Sequence, residues 1–450
     1  MLRDGLLFKG YMAIDDYDFA AWLAKHGATK TATESAAIRG YYDYFFAYEN
    51  GDTTTPRMSA GMGLYHLLRL ICTYKGALFW KMSSGMGDAV FGPLFEVCRR
   101  NGVKFRFFHR VTELEPSRDG ESIETIRIAR QVDLKKGDYE PLVVPNGLPS
   151  WPSEPLYDQI VDAQAAELRR RGANLEDPFT DWDDAGELVL EKGRDFDAAV
   201  LGVSLGTIPY VCPGVIAQRG EWRAMVENLQ SVQTQSLQLW WEPSVEELGW
   251  TMGNATGTAY GQPLESWSDM SFVAPRESWP EGRAPKTIIY FTGPMKNPDR
   301  MPAGRDPGFG KRETDRAWEN ALAWSRAFVE HLYPNAADGR DLDWQKLADT
   351  SDARGADRFR SQFVRSNYTP SERYVIDLPG TNRYRLEADS SGYDNLALAG
   401  DWLFTGLGGA VESAVIAGMQ AARALTGAGP KIVGATKSPW PRPKNLKRLI

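Results

Sequence analysis

From Asn395 to Leu425 the chain passes through three hydrophobic patterns in succession. Residues 396–399 (Leu-Ala-Leu-Ala) form a short unbroken apolar run, which predicts a buried strand. Glycines at 400, 406, 408 and 409 follow, and they predict a turn. From about Gly409 to Leu425, apolar or small residues recur at Val411, Ala414, Val415, Gly418, Ala421, Ala422 and Leu425, the spacing of a helix packed on a sheet. Gly427 stands where such a helix should stop. The glycines let a bulky ligand approach the backbone. The free N–H groups and positive dipole end at the helix start favour partial negative charge there.

The same reading covers the rest of the chain. Residues 1 to about 60 look helical, with Ile14 to Leu23 as a capped amphipathic start and an aromatic cluster from Tyr41 to Tyr48 that reads as core. The apolar stretch from Gly63 to Trp80 contains His66, Arg69 and Lys75 and predicts a helix. Val90, Leu94, Val97 and Cys98 predict another helix, ending at Gly102. Alternation at Val103, Phe105 and Phe107 predicts a strand, and His109 to Leu114 begins the next. Ile126-Arg-Ile128 alternates, and a polar helix runs to Arg171 after a proline-rich stretch. A buried strand is expected near 198–203. Gln233 to Trp241 and Thr287 to Phe291 read as sheet strands.

The 395–425 segment resembles the C-terminal flavin-binding signature of the amine oxidase and phytoene desaturase superfamily. That resemblance implies that FAD is the cofactor and that Asp401 hydrogen-bonds its ribityl or phosphate portion. It implies that Gly409, Ala410 and Val411 face the pyrimidine side of the isoalloxazine, with Gly400, Trp402 and Gly408 completing the contact. The run from Gly85 through Gly102 to Val111 resembles the family's helix–glycine–strand stretch, in which the backbone at Val111 would pair with the adenine edge. Such enzymes begin with a strand, a Gly-x-Gly-x-x-Gly turn and a helix that holds the pyrophosphate. Here Gly61-x-Gly63, Gly85-x-Gly87 and Gly406-x-Gly408 are followed by His66, Val90 and Val411, so none completes that pattern. The expectation is a chain lacking that βαβ unit, supplied by a missing N-terminal segment or by a partner chain.

The implied fold is α/β: an incomplete doubly wound FAD-binding domain interleaved with a mixed-sheet and helical substrate domain. Residues 1–60 would be a helical part of the substrate domain, and 61–215 FAD-binding with an insertion at about 115–194. Residues 216–335 would be the main substrate domain, 336–427 the C-terminal FAD segment and 428–450 a solvated basic tail.

Composition adds bounds. The chain has 450 residues with a net charge of -7, which argues against a nucleic-acid partner. Cys72, Cys98 and Cys212 are widely spaced, suggesting reduced thiols in a cytoplasmic protein and no zinc site. No window approaches the roughly 18 apolar residues of a transmembrane helix. Peripheral contact of the basic tail with anionic lipid is an alternative to simple solvation. The four histidines (26, 66, 109 and 331) form no metal-ligand spacing, and His109 reads as structural. Lys286 and Lys296 have no surrounding motif and read as surface residues, so no catalytic base is nominated. The implied activity is an FAD-dependent oxidoreductase withdrawing hydride from a C–N or C–C bond of a small-molecule substrate. The alternatives are a non-catalytic fragment or partner subunit, and a flavin-dependent isomerase on the same scaffold.

Overall fold

The computed structural model describes residues 4–258 and 261–435. Met1, Leu2 and Arg3 of the opening run, and the basic tail from Thr436 onward, lie outside the described residues. In chain order the α-helices are α1 (Leu6–Lys9), α2 (Phe19–Lys25), α3 (Lys30–Thr33), α4 (Ala36–Tyr44), α5 (Ala60–Cys72), α6 (Gly92–Arg100), α7 (Asp162–Arg171), α8 (Ile208–Val211), α9 (Pro213–Gln218), α10 (Gly220–Asn228), α11 (Phe309–Leu332) and α12 (Val411–Thr426). The strands are β1 (His109–Pro116), β2 (Ile123–Arg130), β3 (Gly186–Glu191), β4 (Ala199–Leu201), β5 (Gln230–Trp241), β6 (Thr256–Gly257), β7 (Ser266–Asp269), β8 (Thr287–Met295), β9 (Phe363–Ser366), β10 (Tyr374–Ile376) and β11 (Leu396–Leu398). No described helix is long and apolar enough to cross a membrane.

Three sheets organise this mixed α/β architecture. β1, β2 and β3 form an antiparallel meander. A six-stranded sheet runs in the order β10-β5-β8-β7-β6, with β9 also pairing with β5. β5 alternates polar and apolar residues, so Leu237, Leu239 and Trp241 turn inward. They join Trp324 of α11 in a core beneath this sheet. The third sheet has two parallel strands, β11 and β4, with Leu396 opposite Ala199 and Leu398 opposite Leu201. Trp222, Trp402 and Ala417 belong to the core around this pair. A separate core gathers Phe19, Trp22, Tyr41 and Tyr48 with Ala60 and Leu64 of α5, as the early aromatic cluster anticipates.

Two sequence expectations change. The 103–107 alternation forms no strand. Phe105 and Phe107 instead turn their rings onto Phe95, at 4.7 and 6.0 Å between centroids, and both meet Trp151 or each other. Aromatic packing against α6 satisfies these side chains without a partner strand. The apolar stretch expected to be helical as far as Trp80 stops at Cys72, where Thr73 donates both its N–H and its hydroxyl to Arg69 O, and Gly76 at φ 78° lies outside any right-handed helix beyond it.

β4 leaves one edge open. Its Ala199 N–H donates to Asn395 O at 2.8 Å, and its Leu201 O accepts from Ala399 N–H at 2.9 Å, so these groups face β11. The backbone groups of Val200 face the other way, where no other described strand pairs with β4. Val200 is 50% exposed.

Candidate functional site

The turn between β11 and α12 gathers most of the residues singled out from the sequence. Two residues beyond β11, Gly400 has a φ of 144° that places a hypothetical Cβ 2.5 Å from the Trp402 indole nitrogen. Only glycine fits there. Trp402 is fully buried and donates its indole N–H to Val203 O at 2.8 Å, just beyond β4. It is a core residue that fastens the turn to the neighbouring strand.

Asp401 lies between them. Burial pushes its carboxyl above the ordinary Asp value; the Arg385 charge and the N–H groups of Asp401 and Trp402 oppose that rise, while Asp377 adds to it. A carboxylate offers about four lone-pair positions, so those two N–H groups leave acceptor capacity for a ligand hydroxyl. Thr405 Oγ1 accepts from Leu407 N–H at 3.2 Å and lies 2.7 Å from Ser413 Oγ, which ties the turn to the first turn of α12. α12 begins after Ala410 with no side-chain cap, and Val411 is 49% exposed. Its leading N–H groups are therefore available to an electron-rich partner. These two features, spare acceptor capacity on Asp401 and an uncapped helix start, fit a flavin's hydroxyl chain and electron-rich ring edge.

The glycines have a second reason to be glycine. A Cβ on Gly408 would collide with the Asp377 carboxylate, and one on Gly409 (φ 49°) would lie 2.6 Å from Tyr374 Oη. The close approach at these positions is to protein, whereas the sequence suggests approach to a ligand.

Four residues that the sequence does not advertise complete the site. Asp377 and Arg385 form an ion pair at 2.8 Å, and Arg385 also donates to Asp401 O at 3.2 Å. Tyr374 lies half-buried beside Gly409, and desolvation pushes its phenol well up. His66, on α5, accepts the Gly408 N–H on Nε2 at 3.3 Å. With Phe45, Met58 and Met62, the residues His66, Tyr374 and Asp377 line a narrow cavity. The only sequence signal for this set was the apolar run of β10 leading to Asp377.

The remaining sequence candidates lie elsewhere. Val111 is on β1, paired with Ile128 in the antiparallel meander and packed at the rim of the core that holds Trp402. His109 Nδ1 lies 2.6 Å from Phe107 O, a local contact. Lys286 and Lys296 are exposed and paired with Glu247 and Asp52. A polar cleft of about 200 Å³ between Arg110, Trp182 and Arg305 is distant in kind as well as composition. Both of its arginines are already ion-paired, with Asp184 and Asp183.

Among known proteins, a family described as flavin containing amine oxidoreductase matches residues 157–426, more than half of the chain. Among solved structures, an oxidoreductase from Methanosarcina mazei aligns with a TM-score of 0.47 and 11% identity over 90% of this chain and 67% of that one. A triple mutant of putrescine oxidase with redesigned cofactor binding gives 0.47 and 10%, over 91% of this chain and 67% of that one. A double mutant of the same enzyme gives 0.42 and 9%, over 86% and 62%. The chain thus spans about two thirds of the length of these structures. No curated protein matches it.

Proposed function

The chain belongs to the flavin-containing amine oxidoreductase family, and from that premise we propose that it is an FAD-dependent oxidoreductase withdrawing hydride from a C–N or C–C bond of a small-molecule substrate. The observation that carries the assignment of the site is the β11–turn–α12 unit, with a carboxylate at its first bend and an uncapped helix start at its end. When bound, the flavin would accept the hydride and its electron pair from the substrate.

The protein's own part is to bind and orient. Asp401 accepts from a ribityl hydroxyl, a charge-assisted hydrogen bond. The N–H groups at the start of α12 would stabilise negative charge on a flavin ring edge held there, a preorganised interaction. Arg385 holds the Asp401 carbonyl while paired with Asp377, which fixes the bend from behind. No Gly-x-Gly-x-x-Gly turn occurs in the sequence.

The experiment is an FAD titration of the purified protein followed by flavin absorbance and fluorescence, repeated with Asp401→Ala. Anaerobic addition of candidate amines then identifies the substrate by bleaching of the flavin bands. Equal FAD affinity in the wild type and in Asp401→Ala would remove this turn from the binding site.

A further inference from the structure

The Gly408 N–H points away from the start of α12 and into α5, where His66 accepts it. His66 is 7% exposed, and its ring lies 5.0 Å from that of Phe45 at 31°. The helix carrying it is anchored at its own start, because Ser59 caps α5 through Met62 N–H and gives its backbone N–H to Asp377 O at 2.8 Å. Asp377 in turn stands against Gly408 so closely that no Cβ fits between them. The glycine turn is thus gripped on two sides, by a hydrogen bond from α5 and by the carboxylate that follows β10.

Accepting on Nε2 requires a neutral imidazole with its proton on Nδ1. Protonation at Nε2 would set two N–H donors facing each other, and Asp377 blocks movement of Gly408 to the far side. Release of the turn is the remaining relief. The charged groups facing His66 are Asp377 from the β10 segment, Arg385 beyond it, Arg69 on its own helix and Glu412 at the start of α12. Burial is the largest influence and lowers the imidazole below its ordinary value; Asp377 and Glu412 oppose this, while Arg385 and Arg69 reinforce it.

We propose that His66 is a positioning residue that locks the 405–409 turn through the Gly408 N–H, and that its protonation unlocks the turn and weakens ligand binding there. This rests on the flavin reading only for the identity of the ligand. The lock itself concerns the protein without cofactor.

Amide hydrogen exchange of the peptide spanning 405–411, corrected for intrinsic pH dependence, tests the lock directly. In His66→Leu, exchange at pH 7.5 should rise about tenfold, the expected effect of losing one hydrogen bond to a buried amide. His66→Gln retains an acceptor that does not titrate, so protection should be largely restored. The wild-type turn should keep its protection through the ordinary histidine range near about 6.5 and lose it at lower pH, because burial lowers the imidazole; the Gln variant should not lose it. FAD affinity by fluorescence titration should fall about tenfold between pH 7.5 and the acid range in which the wild-type turn loses protection, and stay flat in His66→Gln. Should His66→Leu fail to fold, comparison of the wild type with His66→Gln still decides. Identical pH profiles in those two proteins, or unchanged exchange in a folded His66→Leu, overturn the lock. The exchange pattern described here without FAD binding at any pH supports the lock and removes the flavin reading.

Discussion

Asp377 and Arg385 face each other at 2.8 Å with 9% and 1% of their side chains exposed. Two charges so far from water are held only because each satisfies the other, and Arg385 also grips Asn382 and the Asp401 carbonyl. Removing one partner strands the other. Arg385→Met should therefore cost about 3–5 kcal/mol of stability, measured by urea unfolding. The double variant Arg385→Met/Asp377→Leu should recover much of that loss, since an apolar pair of similar volume is often neutral.

Asp401 separates binding from folding. Its folded carboxyl is raised above the unfolded value, so the native state holds this proton more tightly. The contribution to stability is greatest below the ordinary Asp range and declines as pH rises through the raised value. Asp401→Asn should thus leave the apoprotein as stable as the wild type, or more so, at pH 7. Asp401→Ala should still weaken FAD binding by a hydrogen bond worth about 1.5–3 kcal/mol, roughly one to two orders of magnitude in Kd. Differential scanning calorimetry and flavin titration measure the two effects separately.

Gly409→Val strikes the fold as well as the ligand. The backbone at φ 49° costs a β-branched residue about 1–3 kcal/mol, and collision with Tyr374 and Val375 adds about 1–3 kcal/mol of overpacking. The midpoint of thermal unfolding should fall by several degrees before any cofactor is added. An unchanged midpoint would show that the turn has another conformation in solution.

Glu265 provides a pH test remote from the turn. It is buried against Asp43, and desolvation together with that neighbouring carboxyl pushes it up to about 8, with Arg39 opposing. A carboxyl raised in the folded state contributes stability that is full below the ordinary Glu value and is lost as pH rises from there through about 8. The wild type should be less stable at pH 9 than at pH 6 by on the order of 1–3 kcal/mol. Glu265→Gln should flatten that slope, read from urea midpoints at the two pH values.

The open edge of β4 exposes Val200 and its backbone donor and acceptor, a template for pairing with another strand. Val200→Lys should reduce concentration-dependent self-association in light scattering with little change in the thermal midpoint. If both proteins scatter alike, that edge is not the sticky surface.

The sequence carried local structure well and distant contacts poorly. β11 and α12 were legible because an apolar run, spaced glycines and a helical stripe each depend only on near neighbours, and the observed helix ends at Gly427 in the left-handed conformation as expected. The 103–107 alternation misled because aromatic residues at period two also suit a cluster on α6. Asp377, Arg385, Tyr374 and His66 left no periodic trace. Their roles come from side-chain packing between separate segments, up to 342 positions apart for His66 and Gly408, and a lone histidine on an apolar helix face reads as ordinary core.

That separation has a consequence for how the molecule is made. The segment from Asp377 to Val411 is joined to residues early in the chain: Asn382 to Asp15, Gly408 to His66, Asn395 to Ile123 and β11 to β4. Every one of these contacts closes a long loop, so each pays its ordering entropy before it is rewarded. During synthesis, Asp15, His66, Ile123 and β4 have their partner surfaces unmet until residues 382–408 have emerged. The 400–410 turn therefore assembles only once partners from several distant stretches of the chain are already in place, a late step of the kind that favours folding through intermediates.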